Sequence, residues 1–491
     1  MSLNALRPAH ASGPVRLGLL PALLLLLAAT APVQALELGF EAYAAVTASD
    51  NIGGDNSPNE EGGQIGEASI GVFGEQRTRR AQIAFEGEID GRRRLDDEDQ
   101  RDIDTVTRFL GAAEFALTPR ALSWYVGDIL GGVRLDDAIQ PISDNVGTVR
   151  QRNVFITGPE LDYELDPDTR LASRLLYINQ SEEGDALETL WNANVDWRRE
   201  TTPGSYFGFS LNDIYTDNVE ARATAVGDDT AGGEAPDFNR VSAAAYWNRV
   251  RGFTELYGQI GATRYDTDRD SLGGLNAVLR ATRTLGPASA LALELTRDLS
   301  DQTLSTVESL VEDGSGVQPE ADGFFDETRL ELTYALDAPR ASVDLGVGVA
   351  KLDYRLLAGD DGVALQGVSE DQTQGYAYGF LSRPLTARLR GELGARYERQ
   401  SYDDRDDESD SVLGSARLLY RIARSFVLEA GYLFDRAQGV RTRLVSDASG
   451  ASVFEREPID VTENRVTLGI RWAPPSRANR DLTIELKSLL Q

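Results

Sequence analysis

The chain has 491 residues, no cysteine, one methionine (Met1) and one histidine (His10). This composition excludes disulfides, thiolate nucleophiles and zinc sites built from cysteine and histidine, and it excludes imidazole acid–base catalysis beyond residue 10. The formal net charge of −30 disfavours nucleic acid as a partner, because a phosphate backbone is bound by surfaces rich in lysine and arginine.

The first 35 residues have the features of a secretory signal peptide. Arg7 and Arg16 precede an apolar stretch from Leu17 to Ala29, and Val33-Gln34-Ala35 resembles a cleavage site with small residues. Removal of 35 residues from 491 leaves 456, and loss of the two arginines takes the charge from −30 to −32. The sequence therefore predicts an exported chain. Because the mature part has no histidine, we expect it not to be an enzyme, and no cofactor or metal site is predicted, although binding of divalent cations by the acidic loops stays open.

After Ala35, no stretch approaches the roughly 18 apolar residues that a membrane-spanning helix needs. Apolar residues instead alternate with polar ones in runs of about 10–14 residues, the length of a tilted membrane strand. Clear examples are Leu36–Val46, Ala81–Asp90, Ala341–Val349 and Phe426–Phe434. These runs predict β-strands that present one face to lipid and the other to an interior.

The connections between these strands alternate in length. Short turns recur at positions such as 118–120, 166–169, 201–204, 286–289 and 337–340, and long segments rich in Asp, Glu, Gly and Ser lie between them. The long segments include Asp50–Gly63, Gly91–Ile103, Asp217–Phe238, Asp298–Gly323, Asp403–Asp410 and Gln438–Asp460. Nine short turns and ten long loops predict twenty strands, with eighteen to twenty-two left open, and both chain ends in the periplasm.

The predicted fold is thus all-β, a transmembrane antiparallel up-and-down barrel over residues 36–473 with a periplasmic tail at 474–491. Four of the five tryptophans, Trp124, Trp197, Trp247 and Trp472, fall near predicted periplasmic turns or the end of the last strand. This placement is typical of an aromatic girdle at a membrane interface. A soluble sandwich or solenoid is the alternative, but it leaves the alternating loop lengths unexplained.

The opposite faces of the strands are predicted to line the lumen. The candidate lining residues mix basic and acidic side chains: Arg174, Arg198, Arg280, Arg329, Glu331, Arg388, Arg390, Glu392, Arg396, Arg417 and Arg465. One interpretation is that these charges pair across strands and stiffen the wall. The other is a water-filled path for a polar or anionic solute, which the arginines would steer.

Short motifs in the first third of the chain resemble the outer-membrane barrels associated with exopolysaccharide and exosortase systems, related to the group called β-barrel porin 2. The motifs are Ser49-Asp50-Asn51-Ile52 and the series Pro119, Trp124, Asp128, Asn145, Asn153 and Gly158-Pro159-Glu160-Leu161. The resemblance implies a role in secretion or assembly of surface polysaccharide, and it supplies no catalytic residues.

The sequence therefore leaves two alternative functions open. The first is a porin-like conduit in the outer membrane associated with polysaccharide export, and the second is a non-conducting structural or interaction barrel with acidic surface loops. The expected partners are outer-membrane lipid, lipopolysaccharide, the polysaccharide-export machinery and the barrel-assembly machinery that inserts the chain. Gly158-Pro159 inside a strand predicts a bulge or another irregularity, because proline donates no ladder hydrogen bond.

Overall fold

A computed structural model describes residues 36–52, 61–78, 80–96, 104–118, 121–134, 149–182, 185–218, 237–267, 271–301, 315–317, 324–355, 371–403, 407–446 and 452–473. The predicted signal peptide (1–35) and tail (474–491) lie outside these residues and stay predictions. No helix in the described residues is long and apolar enough to span a membrane.

The described residues form strands joined by turns, and all of the strands belong to one sheet. The strands are β1 (Leu36–Ser49), β2 (Gly63–Arg77), β3 (Ala81–Arg94), β4 (Asp104–Thr118), β5 (Leu122–Arg134), β6 (Val149–Asp166), β7 (Thr169–Glu182), β8 (Asp185–Thr202), β9 (Ser205–Asn218), β10 (Phe238–Arg251), β11 (Thr254–Thr267), β12 (Ser271–Gly286), β13 (Ser289–Asp301), β14 (Ser315–Val317), β15 (Phe324–Ala338), β16 (Ala341–Arg355), β17 (Gln372–Pro384), β18 (Leu389–Tyr402), β19 (Glu408–Ala423), β20 (Phe426–Ser446) and β21 (Ser452–Trp472).

Within the described residues, twenty of these strands close into an antiparallel barrel, which confirms the predicted number and fold class. Each strand pairs with the next along the chain, and β13 pairs directly with β15 because β14 stands outside the ring. The first and last strands close it, with Ala42 in register with Trp472 and Ser49 in register with Arg465. Closure matters because an open edge would leave unpaired backbone groups in lipid.

One rim of the barrel carries the nine short turns together with the start of β1 and the end of β21. Short turns and chain ends mark the periplasmic rim of an outer-membrane barrel. The opposite, outer rim carries ten connections, and the prediction that all ten are long was wrong. Residues 183–184, 268–270 and 447–451 are short connections on this rim.

One predicted long loop is largely strand, and another begins within a strand. The segment Gln438–Asp460 forms the ends of β20 and β21, which pair from Gln438↔Asp460 up to Ser446↔Ser452 and project beyond their neighbours as a hairpin. The segment Gly91–Ile103 begins with the last residues of β3, which continues to Arg94. The charged and small residues of these segments predicted loops. Strands that extend beyond the bilayer can carry polar residues on both faces, because neither face contacts lipid.

The outward face of the barrel carries a belt of exposed apolar side chains. Ile70, Ile260 and Leu468 expose 68%, 67% and 63% of their surface. In water such a belt would be unstable, whereas in a membrane it contacts acyl chains. A closed antiparallel barrel with this belt is the architecture of bacterial outer-membrane proteins, and the protein is an outer-membrane β-barrel.

The tryptophans follow the predicted girdle. Trp124, Trp247 and Trp472 are exposed on the outward face close to the periplasmic ends of β5, β10 and β21. Trp197 packs on Phe209, with ring centroids 5.9 Å apart. Trp191 lies farther from the periplasmic rim, as its position in the sequence predicts.

Candidate functional site: the barrel lumen

The register of the strands identifies the lumen face. Arg280 is in register with Glu294 on β13 and with Tyr257 on β11, so all three side chains share the face opposite to the apolar belt. The same reasoning places ten of the eleven predicted lining residues on this inner face. Arg388 departs from the expectation, because it lies in the periplasmic turn that precedes β18 and is outside the strand.

Most of the predicted lumen arginines meet a carboxylate. Arg174 donates from Nε to Oε1 of Glu160 at 3.1 Å, and Arg417 lies between two acids, with its guanidinium 2.6 Å from Glu392 and 3.4 Å from Glu429. These pairs bridge adjacent strands. The expected cross-strand pairing of charges is therefore present in the wall.

Further pairs extend this charge compensation. Arg280 pairs with Glu294 across β12 and β13, and Arg396 lies 2.8 Å from Glu398 two residues along β18. Arg329 similarly lies 2.6 Å from Glu327. Because these pairs are half exposed and face an aqueous interior, each contributes little to stability, about 0–1 kcal/mol. Their main effect is to make the wall polar without a strong net charge.

Arg198 and Arg390 differ from the other predicted arginines. Among the residues that the structure describes, neither forms an ion pair with a carboxylate. The guanidinium carbon of Arg198 lies 5.0 Å from the ring centroid of Tyr206, which is the geometry of a cation–π contact. Arg198 is thus a basic group held on the inner wall by an aromatic neighbour.

Burial of the inner face changes sharply along the barrel axis. In the periplasmic half, the side chains of Arg280 and Glu294 are 52% and 31% exposed. In the outer half, Gln180 and Thr216 are 0% exposed and Glu182 is 1% exposed. On β7 and β9 the inner face is therefore covered towards the outer rim, whereas on β12 and β13 it is half exposed towards the periplasmic rim.

An apolar cluster lies on this buried part of the inner wall, and sequence reasoning missed it. Its members come from β4 to β9: Ala112, Tyr125, Ile129, Val154, Ile156, Leu176, Ile178, Leu190 and Ile214. The missed signal is the unbroken apolar runs Val154-Phe155-Ile156 and Leu175-Leu176-Tyr177-Ile178, because a strand that is buried on both faces loses its alternation.

The connection between β13 and β15 reaches the opposite wall. Its short strand β14 pairs in parallel with the outer end of β5, where Ser315, Gly316 and Val317 are in register with Gly132, Val133 and Arg134. In the ring of twenty strands, β13 is the eighth strand after β5, so the two walls are nearly opposite. Sequence reasoning treated Asp298–Gly323 as a loop and did not place it against β5.

Several lumen tyrosines lie flat on the wall over glycines. A Cβ atom at Gly208 would overlap the ring of Tyr246, and at Gly348 it would overlap the ring of Tyr376. Each glycine is in register with its tyrosine on the neighbouring strand. The ring therefore takes the space that a side chain would fill, so one ring face rests on the wall and the other faces the lumen.

The element Ser49-Asp50-Asn51-Ile52 at the end of β1 lies at the seam of the barrel. Ser49 donates from Oγ to Oε1 of Glu463 at 2.5 Å, and both Asp50 carboxylate oxygens accept hydrogen bonds from Asn464 at 2.7 Å. Asn51 is fully buried and donates to the carbonyl of Thr462. The motif thus joins the first strand to the last.

The second motif also has a structural location. Asp128 of β5 accepts a hydrogen bond from Nδ2 of Asn153 on β6 at 2.9 Å, and Trp124 donates to Thr157 at 2.9 Å. At Gly158-Pro159 the pairing of β6 with β7 is interrupted without a change of register, an irregularity rather than an inserted residue. Pro119 and Asn145 lie outside the described residues.

Comparison with known proteins gives matches in structure alone. No protein-family model matches the chain, and no curated protein matches it in sequence. The siderophore receptor PirA from Pseudomonas aeruginosa superposes with a TM-score of 0.46 at 11% identity, covering 89% of this chain and 80% of its own. The FrpB iron transporter from Neisseria meningitidis gives 0.46 at 8% identity, covering 90% and 83%. OccAB4 from Acinetobacter baumannii gives 0.38 at 11% identity, covering 90% and 100%.

Proposed function

We propose that the protein is a gated outer-membrane conduit that passes a polar polymer, a surface polysaccharide, from the periplasm to the outside. The observation that carries this proposal is the gradient of burial along the inner wall, from half-exposed Arg280 and Glu294 to fully buried Gln180 and Thr216. The open half faces the periplasm, so a solute enters from that side. The closed half must move before the solute can leave.

The chemistry of the open half favours an uncharged or weakly charged polar cargo. Arg174, Arg280 and Arg417 are compensated by Glu160, Glu294 and Glu392, so most of the wall offers hydrogen-bond donors and acceptors with little net attraction for ions. A polysaccharide carries many hydroxyl groups that both donate and accept. The resemblance of the Ser49–Ile52 element to polysaccharide-associated barrels supports the same choice of cargo.

The contact between β14 and β5 is the part of the closure that can be manipulated. Only three residues pair, in a parallel arrangement, whereas the barrel strands pair over many more residues. A short pairing is the weaker one, and it can separate without unfolding the barrel. We propose that separation of β14 from β5 accompanies opening.

The second candidate function is a structural or interaction barrel that never conducts. The closed outer half and the ion pairs of the wall favour it. The two functions differ in whether the contact between β14 and β5 can open and close. One variant with two new cysteines distinguishes them.

The experiment joins Gly316→Cys to Val133→Cys, which are in register on β14 and β5. The chain has no cysteine of its own, so the new disulfide has no competitor. We expect current steps in planar bilayers with the reduced variant, their loss on oxidation and their return with reductant. The matched control is the variant with Gly316→Cys alone, which should not respond to oxidation.

In the producing bacterium, oxidation of the locked variant should also lower the amount of polysaccharide at the cell surface. A folded barrel that gives no current steps in the wild-type or the reduced form would contradict the conduit and favour the structural barrel. Current steps that respond to oxidation, without any change in the amount of surface polysaccharide, would contradict only the proposed cargo.

A further inference from the structure

We infer that the lumen wall carries a binding track for a chain of sugar rings, formed by tyrosine side chains on its inner face. We call this set the tyrosine ramp and define it as Tyr206, Tyr246, Tyr257, Tyr376 and Tyr378. The inference deepens the proposed conduit, on which it rests for the route of the polymer, and it names the class of ligand. All five side chains are partly exposed on the inner face.

The first argument is the orientation of the rings. Tyr246 lies over Gly208, Tyr376 over Gly348 and Tyr378 over Gly346, in each case across a strand pairing. A ring that stands away from the wall would present its edge or its hydroxyl group to a passing solute. A ring that rests on a glycine presents a flat π face, which packs well against the C–H face of a pyranose ring.

The second argument is continuity between neighbouring rings. Tyr246 and Tyr257 have ring centroids 6.4 Å apart and an interplanar angle of 28°, so these two rings on β10 and β11 are nearly parallel. Tyr206 on β9 meets Tyr246 edge-on, with centroids 6.1 Å apart and an interplanar angle of 78°. Arg198 extends this series of rings at one end through its contact with Tyr206.

The third argument is the path of the ramp through the barrel. Tyr206 is the second residue of β9 from the periplasmic rim, Tyr257 is the fourth residue of β11, and Tyr376 is the ninth residue of β17 when counted back from Pro384. The strands of a closed barrel are tilted, so a line of neighbouring residues across them climbs along the axis. The tyrosines of β17 therefore lie farther from the periplasmic rim than Tyr206 and Tyr257, and the in-register residues Arg280, Glu294 and Glu331 lie between Tyr257 and Tyr376.

Hydrogen-bonding groups accompany the rings along this path. Tyr246 donates to Asp196, Tyr257 donates to Gln259 at 2.7 Å, and Tyr378 donates to Glu331 at 3.4 Å. Carboxylate and guanidinium groups bind pairs of sugar hydroxyls as acceptors and donors. Flat aromatic faces beside such groups fit a polyhydroxylated ring better than a peptide or a free ion.

The alternative is that the rings only cover glycines and stabilise the sheet, as aromatic residues do on strands. Binding measurements separate the two roles. The full-length protein in nanodiscs is titrated by calorimetry with maltoheptaose, with oligogalacturonate of the same length, and with polyethylene glycol of similar mass as the non-sugar probe. We expect one or both oligosaccharides to bind and polyethylene glycol not to bind.

Substitutions then test the ring faces. The double variant Tyr246→Leu, Tyr257→Leu should raise the dissociation constant about tenfold, since each lost aromatic contact weakens binding several-fold. The double variant Tyr246→Phe, Tyr257→Phe keeps both ring faces and should retain binding within about twofold. The control is Tyr420→Leu, a tyrosine on the outward face of β19, which should leave binding unchanged.

The inference is overturned if neither oligosaccharide binds the wild-type protein, or if the Leu and Phe double variants bind as well as each other. Thermal unfolding of each variant identifies those that fail to fold. If the Leu double variant does not fold, the dissociation constant of the Phe double variant is compared with that of the wild-type protein. Binding does not require current. A barrel that binds sugar but never conducts would contradict the proposed conduit and support the tyrosine ramp. A barrel that conducts but binds no sugar would contradict only the tyrosine ramp.

Discussion

Ser49 at the end of the first strand donates a hydrogen bond to Glu463 of the last strand, and this contact lies at the seam of the barrel. Glu463 is 1% exposed and also accepts two hydrogen bonds from Arg465, at 2.6 and 2.7 Å. The pairing of β1 with β21 covers only Ala42–Ser49, so the seam is shorter than the neighbouring β1–β2 pairing. Side chains beyond the ladder therefore contribute to closure.

Removal of the seam carboxylate should destabilise the barrel. Glu463→Ala removes the carboxylate that accepts two hydrogen bonds from buried Arg465, which should cost about 3 kcal/mol of unfolding free energy, and Ser49→Ala should cost about 1 kcal/mol. Equilibrium unfolding in guanidinium with lipid vesicles, followed by tryptophan fluorescence, measures both. Asp266→Ala removes the carboxylate of an exposed ion pair with Arg264 and serves as the control, with no expected change in midpoint.

A side chain at Gly158 should also destabilise the fold. A Cβ atom at this position would overlap the carbonyl oxygen of Leu175, which is backbone and cannot rotate away. We expect Gly158→Ala to cost roughly 1–3 kcal/mol, the usual penalty of overpacking. Gly375→Ala is the matched control, because no atom lies within 4 Å of a Cβ atom there. Equal midpoints for the two variants would show that β6 and β7 can separate at the irregularity.

The burial gradient predicts a gradient of chemical access. Single cysteines at Glu294 in the periplasmic half and at Thr216 in the outer half should react with a charged maleimide at rates that differ on the order of tenfold or more, because a covered thiol is shielded from the reagent. Leu468→Cys, on the lipid face, is the unreactive control. Comparable rates at Glu294→Cys and Thr216→Cys would mean that the outer half is open to water.

The orientation of the tryptophans predicts contact with lipid. Trp124, Trp191, Trp247 and Trp472 expose 41%, 47%, 43% and 38% of their surface on the outward face. Lipids brominated near the headgroup should quench Trp124, Trp247 and Trp472 most, whereas lipids brominated deeper in the acyl chain should quench Trp191 most. Variants with one remaining tryptophan allow each to be measured. Quenching of Trp191 by the headgroup probe alone would place β8 at a different depth.

The sequence predicted the architecture well because local rules decide it. A strand with one face in lipid must alternate, and a periplasmic turn must be short, so the number of strands and the position of the lipid face follow from short stretches such as Ala81–Asp90. The lumen face of Arg174, Arg280 and Arg417 followed from the same alternation. The loop boundaries at Gln438–Asp460 did not, because a hairpin outside the bilayer no longer needs an apolar face.

By itself, the sequence determined a closed barrel of about twenty strands, its lipid-facing belt, and a lumen lined with both arginine and glutamate. Only the tertiary structure decided which carboxylate meets each arginine, that β14 pairs with β5, and that inner-wall side chains such as Gln180 and Thr216 are buried. These features depend on residues far apart in the chain that meet across the barrel or through the shear of the strands. The alternation of apolar and polar residues along one strand does not show which segment of the chain lies across the lumen from that strand.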